Sequence, residues 1–278
     1  MRLFDATLDL ARHAQGIETH KISSVTNSGN KTFQCSQLAA SLGEYTNGGT
    51  CWFLSGEAEG KFRSIIRAKD QTVTLANEVE GFKAGDDVAL SWFHYFNTQN
   101  LINAVNHVLY DYPIMEIYED TTEEPVKYRH TQYEYELPEE VSIDIRRVEI
   151  QSKNWNIPWC EKLPDTFTIC HYWQLEGRTL VIDPRWVYKW GGRIKIYYVK
   201  DHGAIVDPET DMISEQVDKN YLRKMANLWL WTHEIQMKHK DNPIAVDMYN
   251  QAKMEEDTLM KKNIPESRLL PKDLCYFW

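Results

Sequence analysis

The segment from Gly48 to Leu90, GGTCWFLSGEAEGKFRSIIRAKDQTVTLANEVEGFKAGDDVAL, constrains the fold more than any other part of the sequence. Its apolar residues alternate along the chain, and this period of two predicts short strands. The alternation is clearest at Trp52, Leu54, Ile65, Val73, Leu75, Val88 and Leu90, and turn glycines stand at Gly48, Gly49, Gly56, Gly60 and Gly85. Glycine suits such turns because it adopts positive φ without steric cost. The segment therefore predicts a small β module, at about residues 21–94, inserted between two helices.

Two helices are predicted on either side of this module. Residues 3–14 form the first, with apolar side chains on or near one face. The second begins after Asn97-Thr98, a favourable N-cap, and its apolar residues recur at helical spacing from Leu101 onward. Pro113 ends it, since proline cannot continue a helix.

Residues 126–200 predict a second β region. Apolar alternation flanks Pro138, and Phe167, Ile169, His171 and Trp173 are predicted to share one face of a strand. At least five short strands at this spacing are typical of an antiparallel sandwich or an open barrel. The region lacks the alternation of strand and helix that a parallel sheet requires.

The last third predicts a helical hairpin followed by an extended tail. The first helix runs from near Val217 to about Lys240, and Asn242-Pro243 begins the second, which extends to about Lys262. The predicted fold class is therefore α+β, with helical bundle or hairpin elements, an inserted β module and a second antiparallel, sandwich-like region. The predicted segments are 1–125, 126–200, 201–263 and the tail 264–278.

Composition restricts the function classes. The 278 residues carry a net charge of −10, from 41 acidic against 31 basic side chains, which disfavours a phosphate-gripping nucleic-acid binder. No apolar run is long enough for a membrane span, and the first residues lack the layout of a signal peptide. Five cysteines without a CxxC pair favour reduced thiols in a protein made in the cytosol.

Several near-motifs lack the spacing that chemistry requires. His233-Glu234 and His239 resemble a zinc helix, but histidines six residues apart lie about 120° apart around a helix. The stretch Gly56–Lys61 departs from a phosphate loop in length and charge, so a turn is favoured. The acidic run 207–218 has Met212 where a calcium loop needs glycine. We therefore predict no catalytic residues, no metal and no cofactor.

Tryptophans form the remaining candidate site. Trp155, Trp159, Trp186 and Trp190 surround the second β region, and we interpret them as core or interface residues in preference to a glycan site. Exposed tryptophans also stack on sugars, so a glycan-binding sandwich stays open as the alternative.

Three stretches carry a resemblance to a known group of proteins. They are Gly48–Leu90 with GGTCWFLSGEAEGKFRSI, Leu101–Ile114 ending in DYPI together with Leu137-Pro138, and Tyr198–Trp231 with YYVKDHGAIVDPETDMISEQVDKNYLRKMANLWLW. In the order of its predicted elements and in these local sequences, the chain resembles the head–tail connector, adaptor or neck proteins of tailed-bacteriophage virions. The simplest adaptors are mostly helical, whereas about half of this chain is predicted to be β.

The resemblance implies a non-enzymatic structural protein of the virion neck. It implies a homo-oligomeric ring, often dodecameric in such adaptors, that binds the portal protein and tail or further neck proteins. It also implies transient, non-specific passage of DNA and no membrane partner. The implied subunit or portal interface is Leu269, Leu270, Leu274, Tyr276, Phe277, Trp278, Trp229 and Trp231, and the implied tail-side interface is Trp155, Trp159, Trp186 and Trp190. A tail-associated receptor- or glycan-binding protein and a virion-associated or host-directed enzyme stay open as alternatives.

Overall fold

The protein has an α+β fold, as predicted. The structure, a computed structural model, describes residues 1–26, 31–36, 38, 45–91, 96–119, 133–152, 166–183, 194–207, 211–237 and 241–262. Within those ranges the chain has four helices and three antiparallel sheets. It forms two compact units: Met1–Tyr112 with His202–Asn263 is unit 1, and the described part of Pro113–Asp201 belongs to unit 2.

The elements of unit 1 are α1 (Leu3–Ala14), β1 (Glu18–Lys21), β2 (Ser24–Val25), β3 (Thr32–Gln34), β4 (Tyr45–Phe53), β5 (Phe62–Lys69), β6 (Thr72–Leu75), β7 (Asp87–Ser91), α2 (Thr98–Tyr110), α3 (Lys219–Met237) and α4 (Pro243–Lys262). Those of unit 2 are β8 (Pro113–Glu119), β9 (Glu134–Glu136), β10 (Ile145–Ser152), β11 (Thr166–Ile169), β12 (Trp173–Glu176), β13 (Thr179–Ile182) and β14 (Ile194–Asp201).

The seven-stranded sheet of unit 1 curls until its two edges meet. Its strand order is β1-β7-β4-β5-β6-β3-β2, yet β1 and β2 are separated by only Ile22 and Ser23. The Ile22 N–H donates to the Asp86 carbonyl at 2.9 Å, and the next N–H, of Ser23, donates to the Gln34 carbonyl at 2.7 Å. Consecutive amides therefore bond to opposite ends of the sheet. These two bonds hold the edge strands β1 and β2 next to each other in a curled half-barrel, although the two strands do not pair.

The two faces of β4 have different roles because strand side chains alternate. Cys51 and Phe53 point into the curled sheet, where they join a core that includes Phe33, Phe82 and Leu90. Thr50 and Trp52 are fully buried as well but lie outside this cluster, on the opposite face. The inner face thus forms the core of the β module, and the outer face is available for the helices.

Helices α1 and α2 dock on this outer face through hydrogen bonds between buried side chains. The Trp52 indole N–H donates to Thr7 Oγ1 of α1 at 3.3 Å. Thr98, the first residue of α2, bonds through its hydroxyl to Thr50 and to Ser64, each at 2.8 Å. Buried polar groups cost free energy unless they are paired, so these contacts specify how the helices seat on the sheet.

Local capping chemistry sets the starts of the predicted helices. At α2, Asn97 Oδ1 accepts from the Asn100 N–H at 2.9 Å, and Asn100 Oδ1 accepts from the Asn97 N–H at 3.0 Å. At α4, Asn242 Oδ1 accepts from the Ile244 N–H at 3.0 Å. The N-caps predicted at Asn97 and Asn242 are confirmed. Helix α3 contacts α1, α2 and α4.

Unit 2 contains two antiparallel sheets with one shared core. Their strand orders are β11-β10-β14-β8 and β12-β13-β9. Both contribute to one buried cluster, for example Val148 and Ile196 from the first sheet and Tyr135 and Leu180 from the second. This arrangement explains the alternating apolar pattern, since each sheet buries one face.

The prediction that Phe167 to Trp173 lie along one strand is wrong. The chain leaves the four-stranded sheet after Ile169 and enters the three-stranded sheet at Trp173. In the crossing, Cys170 is buried and its N–H donates to the Val148 carbonyl at 2.8 Å, whereas His171 is exposed. Of the four residues predicted to share a face, Trp173 belongs to the buried cluster of both sheets, whereas Phe167 and Ile169 do not and His171 is exposed. The core-facing residues at this corner are Cys170 and Trp173, so the period of two is interrupted where the chain changes sheets.

Candidate assembly surface

The stretch Gly56–Lys61 is a structural turn. The Glu59 N–H donates to the Gly56 carbonyl at 3.3 Å and the Lys61 N–H donates to the Ala58 carbonyl at 3.1 Å. Gly56 has φ of +82°, and a Cβ there would lie 2.4 Å from Asp86 Oδ2. The turn therefore needs glycine for its backbone conformation and for the close approach of Asp86.

The acidic run leading into α3 uses carboxylates to cap the backbone. Asp211 Oδ2 accepts from the N–H groups of Val206 and Asp207 at 3.0 and 2.9 Å. Asp218 Oδ1 accepts from the N–H groups of Asn220 and Tyr221 at 2.8 and 2.9 Å, as an N-cap does. The described residues hold no group of three or more His, Cys, Asp or Glu side chains that fits a metal ion.

The described cysteines are buried thiols. Cys35, Cys51 and Cys170 are free and buried. Burial raises the pKa of the Cys35 thiol from 9.0 to about 12. The pKa of the Cys51 thiol is also raised, mainly by burial and to a lesser extent by the nearby Cys35. Because the thiolate is the nucleophilic form, Cys35 and Cys51 are poor nucleophiles at neutral pH.

An aromatic strip of His107, Tyr110, Trp229 and His233 lies on the surface of α2 and α3. The Trp229 and His233 rings stack with centroids 5.0 Å apart and an interplanar angle of 5°, and the His107 ring lies 5.5 Å from Trp229. Trp229 and His233 are four residues apart on α3, and His107 and Tyr110 are three apart on α2, so each pair shares a helix face. Tyr110 is 63% exposed, both histidines are exposed, and Trp229 is half-buried.

The two tryptophans predicted as interface residues on α3 have different surroundings. Trp231 is only 2% exposed, and its ring meets that of Phe96 edge-on at 4.8 Å and 78°. Trp231 is therefore a core residue within the chain, and Trp229 is the one at the surface. Of the predicted interface residues, these two fall in the described part of the chain; Trp155, Trp159, Trp186, Trp190, Leu269, Leu270, Leu274, Tyr276, Phe277 and Trp278 lie outside it.

Sequence reasoning did not include His107, Tyr110 and His233 in a surface site. The sequence feature that could have indicated this surface is the helical spacing of the aromatic and imidazole side chains within each of the two helices. Bringing the two helices together requires the antiparallel contact of α2 with α3, which local spacing does not encode. His233 was considered only as a zinc ligand, whereas its ring stacks on Trp229.

A second surface with aromatic and charged residues lies on the four-stranded sheet of unit 2. Lys195 Nζ lies 4.1 Å from the Phe167 ring centroid, and the Arg147 guanidinium lies 5.4 Å from that of Tyr197. The Tyr197 hydroxyl donates to Glu149 Oε2 at 3.1 Å. Desolvation and this bond to Glu149 raise the pKa of Tyr197. These contacts pair charged and aromatic side chains within the sheet itself.

Comparison with protein-family models and with curated proteins finds no match for this chain. Across the described ranges, no helix combines the length and the apolar character needed to cross a lipid bilayer.

Proposed function

We propose that this protein is a structural virion protein, a head-to-tail adaptor or connector ring in the phage neck. It joins the portal to the tail and lines the channel through which DNA leaves the head. It is not an enzyme, its partners are further copies of itself, the portal protein and tail or neck proteins, and its place is the head–tail junction of the virion. The resemblance of the three sequence stretches is the starting point of this proposal.

The aromatic strip is the observation that supports an assembly role best. Trp, Tyr and His side chains combine a large apolar area with a polar group, and Trp and Tyr are enriched in protein interfaces and their energetic centres. Here the rings of His107, Trp229 and His233 contact one another on two packed helices, with the histidines exposed and Trp229 half-buried, and Tyr110 is 63% exposed one turn along α2 from His107. A rigid, exposed aromatic group of this kind fits contact with another protein chain.

The fold supplies a rigid base for such a contact. Helices α1 and α2 are fixed to the curled β module by the buried bonds of Trp52 and Thr98. We propose that these helices act as a bundle forming the wall of the ring, and that the sandwich-like region of unit 2 carries the tail-side surface. Binding residues placed on rigid elements lose little conformational entropy on association.

The charge of the chain suits a channel for DNA. A net charge of −10 repels the phosphate backbone, so that DNA passes without sticking. The proposal therefore includes transient passage of DNA and no specific recognition of bases.

The deciding experiment is the copy number of this protein in purified virions. Quantitative mass spectrometry against the portal protein measures the ratio directly. We expect a ratio near one to one, as in a ring matched to the portal. A few copies per particle would favour the tail-associated receptor- or glycan-binding alternative, and absence from particles would refute a structural role in the virion.

A further inference from the structure

The imidazole of His202 joins two backbone groups that are far apart in the chain. Its Nδ1 lies 2.9 Å from the carbonyl oxygen of the next residue, Gly203. Its Nε2 accepts a hydrogen bond at 2.9 Å from the N–H of Ser214, which lies 12 residues further along the chain. The backbone of His202 is held separately, because its N–H donates to the Tyr112 carbonyl at 2.9 Å. The ring therefore occupies a fixed position, from which it ties Ser214 to the residue after β14.

These two partners determine where the imidazole carries its proton. A carbonyl oxygen only accepts hydrogen bonds, so Nδ1 carries the hydrogen that is donated to Gly203. A backbone N–H only donates, so Nε2 keeps its lone pair for Ser214. Both bonds require the neutral ring with its hydrogen on Nδ1. In the imidazolium ion both ring nitrogens are donors, and the Nε2–H would point at the N–H of Ser214.

Ser214 begins the turn that leads into α3. Its carbonyl accepts from the Val217 N–H at 3.1 Å, and its hydroxyl accepts from the Gln216 N–H at 3.3 Å. The N–H of Ser214 is partly buried and has Nε2 of His202 as its acceptor; the described residues supply no second one. Loss of this acceptor leaves the N–H unpaired, which costs free energy. The turn before α3 therefore depends on the neutral form of the ring.

Among the described residues, no carboxylate forms an ion pair with His202 that would favour its charged form. The carboxylates of Asp211 and Asp218 cap backbone N–H groups. The Tyr112 hydroxyl donates to the Gln216 carbonyl and accepts from the Asp218 N–H, and the Met1 amino group donates to the Ile213 carbonyl. The remaining charged side chains on the adjoining segments are exposed or paired elsewhere: Asp111, Lys200, Asp201, Asp207, Glu215 and Lys219.

We propose that His202 is an acid-sensitive latch on the turn that leads into α3. Its neutral ring holds the Ser214 amide, and a proton taken up from water by Nε2 replaces that hydrogen bond with two opposed donors, which releases the amide. Histidine is the side chain whose charge ordinarily changes between about pH 5 and 8. Met212, two residues before Ser214, is 61% exposed, so the release affects a part of the chain that reaches the surface. This inference does not depend on the proposed neck function.

Hydrogen exchange at the Ser214 amide measures the latch directly. We expect its protection, corrected for the intrinsic exchange rate, to fall by about tenfold between about pH 7.5 and about pH 5 in the wild type. His202→Gln offers an amide oxygen near the position of Nε2, and this acceptor does not take up a proton in that range. The variant is therefore expected to keep its protection at both pH values. His202→Ala, without an acceptor, is expected to lack the protection at both.

A matched control removes a different histidine. His171 is exposed and belongs to unit 2, so His171→Gln is expected to keep the wild-type pH dependence at Ser214. Nitrogen NMR of the imidazole in the wild type at neutral pH tests the bonding without any substitution, and we expect the hydrogen on Nδ1. Circular dichroism at both pH values checks that the helices are retained.

Three results would overturn the proposal. The first is a neutral His202 ring with its hydrogen on Nε2, because that form cannot accept from Ser214. The second is equal protection of the Ser214 amide in the wild type at both pH values. The third is the same loss of protection, or the same unfolding, in the wild type and in His202→Gln at about pH 5, which would assign the pH dependence to another group.

Discussion

Replacing Gly56 by alanine tests whether the turn at Gly56–Lys61 requires glycine at its first position. The substitution has two costs. The first is backbone strain, because φ at Gly56 is +82°, and an L-residue with positive φ loses about 1–2 kcal/mol. The second is steric, because the new Cβ would lie 2.4 Å from Asp86 Oδ2.

The steric cost follows from the environment of Asp86. This side chain is only 6% exposed, and the same Oδ2 accepts a hydrogen bond from the Lys83 N–H at 2.9 Å. Moving the carboxylate away from a Cβ breaks that bond and leaves a buried charged group without its partner, at about 1–3 kcal/mol. The two costs together predict that Gly56→Ala destabilises unit 1 by about 2–5 kcal/mol.

Gly85→Ala is the matched control. Gly85 has φ of +99°, but a Cβ there meets no atom within 4 Å, so this variant carries the backbone cost alone. Urea denaturation followed by tryptophan fluorescence measures both variants, since Trp52 is fully buried in the same unit. We expect Gly85→Ala to cost about 1–2 kcal/mol. Equal destabilisation by the two variants would refute the role assigned to Asp86.

Three further predictions concern the surface, the buried bonds and pH. Trp229→Ala is expected to weaken assembly and to destabilise the chain less than Trp231→Ala, which removes a core side chain and is expected to cost about 3–5 kcal/mol of stability; equal losses of melting temperature in the two variants would contradict their different surroundings. Thr98→Val removes the bonds to Thr50 and Ser64 and is expected to cost about 1–3 kcal/mol in urea denaturation; an unchanged midpoint would show that these bonds contribute nothing. Burial and the bond to Glu116 raise the pKa of Tyr198 from 10.0 to about 12, so its contribution to stability is present below pH 10.0 and is lost as the pH rises toward about 12. Denaturation midpoints of wild type and Tyr198→Phe across that range measure this, and an identical pH dependence would argue against the shift.

Local chemistry made parts of the fold predictable. Asn97 and Asn242 cap helices through bonds to amides two or three residues away, so the sequence alone predicts both starts. Apolar alternation likewise predicted strands such as β6 and β13. These features depend on residues close together in the chain, and a local pattern is sufficient to identify them.

Pairing between distant segments was not predictable in the same way. The curling of the seven-stranded sheet depends on Ile22 and Ser23 bonding to Asp86 and Gln34. The step from β11 to β12 changes both the sheet and the set of core-facing residues, which are Cys170 and Trp173, whereas the alternation of Phe167, Ile169 and Trp173 in the sequence predicted one strand. A period of two therefore does not report where the chain leaves one sheet for another.

The sequence by itself determined the α+β class, the helix caps and the aromatic residues available for a surface. It did not distinguish Trp229 from Trp231, because both are large apolar residues on the same predicted helix. Two residues along a helix are about 200° apart around its axis, so packing against Phe96 buries Trp231 and leaves Trp229 beside His107 and His233 at the surface. The tertiary structure alone decided which tryptophan lies at the surface, because burial depends on how the helices pack and not on residue type.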